Sequence, residues 1–158
     1  MVSLSPRLST MPLGTETEMA KARWEHLEHD ADIGVRGYGA SPAEAFMQAA
    51  LSLSSVVTDL DCIDVNESVE VECEAPELDL LLVDWLNEIV YQMATRSMLF
   101  ARFEVEITDH RLRARLFGEN ANPDKHQPAV EIKGATFTEL EVYRRGDGEW
   151  VAQCIIDV

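Results

Sequence analysis

The sequence is poor in positive charge. Its 158 residues include 13 lysines and arginines against 29 aspartates and glutamates, for a formal net charge of −16 at pH 7. A surface with this charge repels phosphate backbones, so tight direct binding of nucleic acid is disfavoured unless basic residues are segregated on one face. A bound cation or a basic protein partner fits the composition better.

Cysteines are also scarce. Cys62, Cys73 and Cys154 are odd in number, far apart and outside any CxxC pair. This spacing argues against a disulfide framework and against a cysteine zinc site. We expect three reduced, buried thiols of the kind found in cytoplasmic proteins.

Long apolar runs and common catalytic motifs are missing too. No stretch approaches the roughly 20 residues of a membrane span, and the N-terminus lacks the apolar region of a signal peptide. There is no glycine-rich phosphate loop, no GxSxG and no HExxH. His26 and His29 would face opposite sides of an extended segment, which disfavours zinc. We expect a cytoplasmic protein that is neither membrane-bound nor an enzyme.

The chain divides into a tail and one domain. Residues 1–22 show no sustained periodicity and contain many Ser, Thr, Pro and Gly residues, so we predict a disordered N-terminal extension. The length of the remainder, residues 23–158, fits a single domain.

Two segments have helical periodicity. Ser41-Pro42-Ala43-Glu44 is a capping box in which Ser41 is the N-cap, and an apolar stripe follows it to about Thr58. A second and stronger stripe begins near Glu77 and runs to Met93. Both stripes predict amphipathic helices that pack on the core.

The other segments alternate with period two, which predicts strands over 65–73, 102–107, 111–116 and 150–156. A turn at Asp109-His110 would set Thr108 opposite Arg111, and Glu104 and Glu106 opposite further arginines. The glycines at 146 and 148 predict a final hairpin. We therefore predict an α+β fold with mainly antiparallel β-sheets and two amphipathic helices.

Two aspartates near opposite ends of the chain suggest a metal site. Asp32 lies in the segment HDADIG, and Asp157 precedes Val158, whose terminal carboxylate adds a second anionic group. If the fold brings them together, three hard oxygen donors converge, as Ca²⁺ or Mg²⁺ requires. The alternative is that Asp32 caps a turn and Asp157 is a solvated residue.

Several stretches occur together in a specific order, and the terminal Asp157-Val158 pair completes them. The stretches are Glu28 to Gly34, Ala43 to Phe46, Leu81 to Glu88 and Glu131 to Phe137. In this order they resemble the archease family over most of residues 24–158.

The resemblance implies a function. Archeases activate the RtcB-type tRNA-splicing RNA ligase by promoting its guanylylation with GTP and its multiple turnover. The family's divalent-ion site would correspond here to Asp32, Asp157 and Val158. Ca²⁺ is the expected ion, with Mg²⁺ or Mn²⁺ as alternatives.

Other residues of these stretches are candidates for contact with the partner. Asp30 replaces the threonine usual in the family and adds a carboxylate beside Asp32, next to His29. Lys133 is one of only three lysines. It would approach the ligase or a nucleotide phosphate, or else pair with Glu131 or Glu139 on a strand surface.

Two further classes of function compete with the activator. The acidic surface also suits a general chaperone or a protein-binding module with a structural Ca²⁺ site. A metal-dependent enzyme would have carboxylate ligands, but the sequence provides no evident nucleophile or base.

Overall fold

Strands make up most of the regular structure in the computed structural model, which describes residues 21–158. The strands are β1 (Arg23–His29), β2 (Asp32–Gly39), β3 (Glu67–Glu74), β4 (Met98–Thr108), β5 (Arg111–Asn120), β6 (Gly134–Ala135), β7 (Glu141–Arg144) and β8 (Trp150–Asp157). The α-helices are α1 (Pro42–Val57), α2 (Leu78–Arg96) and the short α3 (Pro123–His126). The extension predicted for residues 1–22 lies outside the described residues except for its last two, and stays a prediction.

The strands form two sheets. The five-stranded sheet has the order β1-β2-β8-β6, and β7 also pairs with β8. The three-stranded sheet has the order β3-β5-β4. Every ladder among the described residues is antiparallel, so the predicted α+β class with mainly antiparallel sheets is confirmed.

The two long helices build the core against the inner faces of the sheets. A Cβ at Gly37 of β2 would lie 2.2 Å from the carbonyl oxygen of Ala45, so the close approach of α1 to this strand requires glycine. Trp85 of α2 is fully buried, and its Nε1 donates a hydrogen bond to the Phe46 carbonyl at 3.0 Å. This packing leaves the opposite face of the five-stranded sheet turned away from α1.

The helix starts agree with the sequence, with one difference in detail. The backbone N–H of Glu44 donates to Oγ of Ser41 at 3.2 Å, as expected for the N-cap. The Glu44 carboxylate accepts from the N–H of Ala40 at 2.7 Å, one residue earlier than a capping box predicts. None of the helices in residues 21–158 combines the length and apolar character needed to cross a membrane.

The β4–β5 hairpin has the predicted register, with Thr108 opposite Arg111. Glu104 lies opposite Arg115 and Glu106 opposite Arg113, as predicted, but these glutamates form no ion pair with the β5 arginines in residues 21–158. Because β5 lies between two strands, its arginines reach glutamates of β3 instead. These pairs are Arg111–Glu74 at 3.4 Å, Arg113–Glu72 at 3.9 Å and Arg115–Glu70 at 3.2 Å.

The β7–β8 turn and the three cysteines test two further predictions. β7 and β8 pair as the predicted antiparallel hairpin, and of the two glycines in its turn only Gly148 has a positive φ, at +93°. All three cysteines are free. Cys154 is buried, and burial raises the pKa of its thiol to about 12, so it is an unreactive core residue. Cys62 and Cys73 are only partly buried.

Candidate functional site

The ladder between β2 and β8 determines where the two aspartates lie. Ile33 pairs with Ile156, and Gly34 pairs with Ile155. The ladder ends there, one residue short of Asp32, the first residue of β2, and of Asp157, the last residue of β8. Continued by one residue, this register would place the two aspartates opposite each other. Residues directly opposite in an antiparallel pair have Cβ atoms about 4.5–5.5 Å apart and share one face.

That shared face is the one turned away from α1. Along β2, Val35 is fully buried and Gly37 contacts the α1 backbone. Because side chains alternate along a strand, the even-numbered residues of β2, including Asp32, occupy the opposite face. Asp32 is half-buried and Asp157 is exposed.

The turn that joins β1 to β2 carries two of the predicted partner-binding residues. Asp30 is exposed and adopts φ +52°, a left-handed conformation that aspartate tolerates better than most residues. His29 pairs with Asp32 across the β1–β2 ladder. Its Nε2 lies 3.4 Å from Oε2 of Glu139, and its Nδ1 is buried with no hydrogen-bond partner among the described residues.

Lys133 lies on the other side of β8 from Asp32. Its backbone N–H donates to the carbonyl oxygen of Asp157 at 2.8 Å, and its side chain is exposed. The alternative ion pair with Glu131 or Glu139 is absent from residues 21–158. Glu139 pairs with His29 instead.

The acidic end of the sheet is therefore not neutralised by neighbouring side chains. Among the described residues, the ion pairs include neither Asp32 nor Asp157 nor Asp30. Two carboxylates 4 Å apart repel one another by about 1 kcal/mol even in bulk water. A bound cation would relieve this repulsion.

The donor chemistry fits a hard divalent cation better than zinc. Carboxylate and main-chain oxygens are the ligands that Ca²⁺, Mg²⁺ and Mn²⁺ prefer. However, no group of three or more His, Cys, Asp or Glu side chains in residues 21–158 is arranged to hold a metal ion. The side chains of Asp32 and Asp157 are thus an incomplete set that needs further oxygens from the main chain, water or a partner.

A second polar network covers the far end of the same face. The guanidinium of Arg23 stacks 3.8 Å from the ring centroid of Tyr38, and Arg36 Nε donates to Oε1 of Gln153 at 2.8 Å. The Tyr38 hydroxyl donates to the Glu25 carboxylate and lowers its pKa. Sequence reasoning missed this network, although Arg, Glu and Tyr alternate along β1 and β2.

Together these features define a class: a small α+β protein in which two antiparallel sheets enclose two long helices and one sheet end gathers acidic oxygens. The sequence model of the Archease protein family matches residues 24–158. The chain belongs to this family, as its ordered motifs predict.

Relatives of known sequence and structure agree with this assignment. Protein archease of Pyrococcus abyssi is 38% identical over 140 residues, covering 86% of this chain and 99% of that protein. Protein archease of Sulfolobus acidocaldarius is 33% identical over 138 residues, with coverage of 86% and 99%. The solution structure of Methanobacterium thermoautotrophicum protein 1598 superposes with a TM-score of 0.76 at 31% identity, covering 85% of this chain and 98% of that one.

Proposed function

We propose that this protein activates an RtcB-type tRNA-splicing RNA ligase. It promotes guanylylation of the ligase with GTP and allows multiple turnover, and it is not itself an enzyme. Membership of the archease family supports the accessory role. The observation that supports the proposal is the ladder that pairs Ile33 with Ile156, the neighbours of Asp32 and Asp157, with no cationic side chain paired to either aspartate among the described residues.

The proposal includes a divalent cation, with Ca²⁺ preferred over Mg²⁺ or Mn²⁺. Asp32, Asp157 and an oxygen of Val158 would hold it. When bound, the ion supplies positive charge that offsets the repulsion between the carboxylates. Ca²⁺ takes six to eight oxygen ligands, so several positions stay open for water or for groups of the ligase.

The residues beside these oxygens contribute to contact with the ligase. His29 holds Glu139 near the sheet end by their 3.4 Å contact, and Asp30 adds exposed negative charge. Lys133 offers a compact point charge on the other side of β8, suited to a phosphate of the nucleotide or to an acidic group of the ligase. We expect the protein to work in the cytoplasm, without a membrane and without tight direct binding of RNA.

Guanylylation and multiple-turnover ligation by purified ligase test the function. The unmodified protein should stimulate both at substoichiometric concentration, and Asp32→Ala should abolish the stimulation. Asp84→Ala is the matched control, because Asp84 is exposed on α2. Circular dichroism verifies that the variants are folded.

Three outcomes contradict the proposal in distinct ways. Equal stimulation by Asp32→Ala and the unmodified protein would remove the acidic end from the mechanism. No stimulation by the unmodified protein, with suppressed aggregation of unrelated proteins, would favour the general chaperone. Activity on phosphoesters without a partner would favour a metal-dependent enzyme.

A further inference from the structure

The outer edge of the five-stranded sheet is interrupted between β6 and β7. Ala135 pairs with Ile156 and Glu141 pairs with Gln153, so the edge advances six residues while β8 advances three. Thr136 N–H donates to the Ile155 carbonyl at 3.0 Å, and Ile155 N–H donates to the Thr138 carbonyl at 3.1 Å. Phe137 lies between these two anchoring residues, in a bulge of the edge.

The bulge is held by its own hydrogen bonds. The Thr136 hydroxyl donates to the Ile155 carbonyl at 2.8 Å and accepts from the Thr138 N–H at 3.1 Å. The Leu140 N–H donates to the Phe137 carbonyl at 3.3 Å. The backbone around Phe137 is thus fixed before any partner arrives, which lowers the entropic cost of using this side chain in binding.

Phe137 is the most solvent-exposed large apolar residue in residues 21–158, at 70%. Isolated apolar residues are common on protein surfaces and require no explanation. Phe137 differs because the turn that presents it is joined to the acidic end. Glu139 of this turn contacts His29 at 3.4 Å, and Thr136 bonds to Ile155, two residues before Asp157.

The surface around Phe137 therefore combines an apolar ring with charge that is mostly negative, and the exposed Lys133 is a cation on this edge. Asp30, Asp32 and Asp157 have no ion-pair partner in the described part of the chain. This chemistry is complementary to a basic protein surface with an apolar pocket. An enzyme that binds RNA has such basic surfaces, because it must neutralise phosphates. A second copy of this acidic chain would bring like charges together.

We infer that Phe137 is the apolar anchor that docks this protein, through its acidic sheet end, on the basic surface of the RNA ligase. The inference rests on the proposed function and adds the contact residue and the chemistry of the partner surface. Aromatic anchors that fill a pocket inside a charged rim carry a large share of the affinity of many interfaces.

Titration of the protein into the ligase reaction separates docking from activation. Phe137→Ala should raise the concentration of this protein that gives half-maximal stimulation of the ligase at least about ten-fold. The stimulation at saturating concentration should stay unchanged. Phe137→Leu keeps an apolar side chain, so its half-maximal concentration should lie between those of the unmodified protein and Phe137→Ala. Val65→Ala is the control, since Val65 is 42% exposed but lies before β3, on another part of the fold. Rising salt should also raise the half-maximal concentration, because the rim is charged.

The outcomes distinguish the inference from the proposed function. If the unmodified protein stimulates the ligase and Phe137→Ala has the same half-maximal concentration, the inference is overturned and the function stands. If the unmodified protein does not stimulate the ligase, the proposed function is contradicted, and the inference that rests on it is overturned as well. A concentration-dependent dimer that Phe137→Ala abolishes in sedimentation would show that a second copy, not the ligase, occupies this surface.

Discussion

The two sheets treat charge on their outward faces differently. On the three-stranded sheet, a row of arginines on β5 pairs with glutamates of β3. At the acidic end of the five-stranded sheet, Asp32 and Asp157 lie on adjacent strands, and no cationic side chain of the described residues pairs with them.

The comparison separates two uses of the same residue types. Exposed ion pairs are worth about 0–1 kcal/mol each, so the paired face contributes modestly to stability and needs no ligand. The unpaired aspartates lower the stability of the fold until a cation or a cationic group of a partner binds to them. Charge that a neighbouring strand balances is structural, and charge left unbalanced at a sheet end is a candidate for binding.

The largest expected effect is the loss of the Ca²⁺ response. A ligand that binds only the folded state raises its stability by about 2.7 kcal/mol at one hundred times the Kd. The unmodified protein should show a gain of this order in urea unfolding with Ca²⁺ compared with chelator, and the double variant Asp32→Asn, Asp157→Asn should show none. Arg113→Gln on the other sheet should keep the full response. An equal gain in the double variant would show that Ca²⁺ binds somewhere other than the acidic end.

An intermediate effect is expected from charge reversal on the three-stranded sheet. Arg113→Glu would place a carboxylate between Glu72 and Glu106, which flank it in the register. Loss of one attraction and gain of two repulsions should lower the free energy of unfolding by about 1–2 kcal/mol. Urea denaturation at low and high salt measures this, and the loss should shrink with salt. A change in the Ca²⁺ response would contradict the separation of the two regions.

The smallest effect is expected at Glu119, whose contribution to the free energy of unfolding should decline at acidic pH. Its carboxylate accepts hydrogen bonds from Lys125 Nζ at 2.7 Å and from the Asp64 N–H at 2.9 Å, and lies 2.8 Å from Nε2 of His126. These contacts, that of Lys125 first, lower its pKa from 4.5 to about 2. A lowered folded-state pKa gives stability above pH 4.5 that is lost as the pH falls toward 2.

Unfolding of Glu119→Gln beside the unmodified protein, at pH values from 7 to 2, measures this contribution. The unmodified protein should be the more stable at neutral pH, and the difference should decline below pH 4.5. A difference that stays constant down to pH 2 would show that the Glu119 contacts do not depend on its charge.

Local patterns predicted α1, α2, β3, β4, β5 and β8, because the causes of these elements are local, whereas β1 and β2 were not predicted as strands. The Asp109-His110 turn and the alternation around it determined the β4–β5 register, and Ser41 determined the start of α1. The choice of ion-pair partner depended on β3, a strand distant in sequence. Alternation along two strands cannot show that a third strand lies beside them.

The resemblance to archeases indicated Asp32 and Asp157, whose role as a site stays a prediction. The ladder between β2 and β8 ends at their neighbours, Ile33 and Ile156. The bulge at Phe137 was missed because it has neither glycine nor proline, and its left-handed residue is Glu139, with φ +51°. The helix at Pro123 was missed as well, although Asn122-Pro123 is a recognisable start signal.

The pairing of β2 with β8 joins strands from nearly opposite ends of the described chain. Because a long loop must close before such distant segments meet, we expect these contacts to form after the local hairpins. A nascent or partly folded copy therefore displays the Asp32 turn without its acidic counterpart. Under the proposed function, only the fully folded protein could then bind the cation, and only such molecules would activate the ligase.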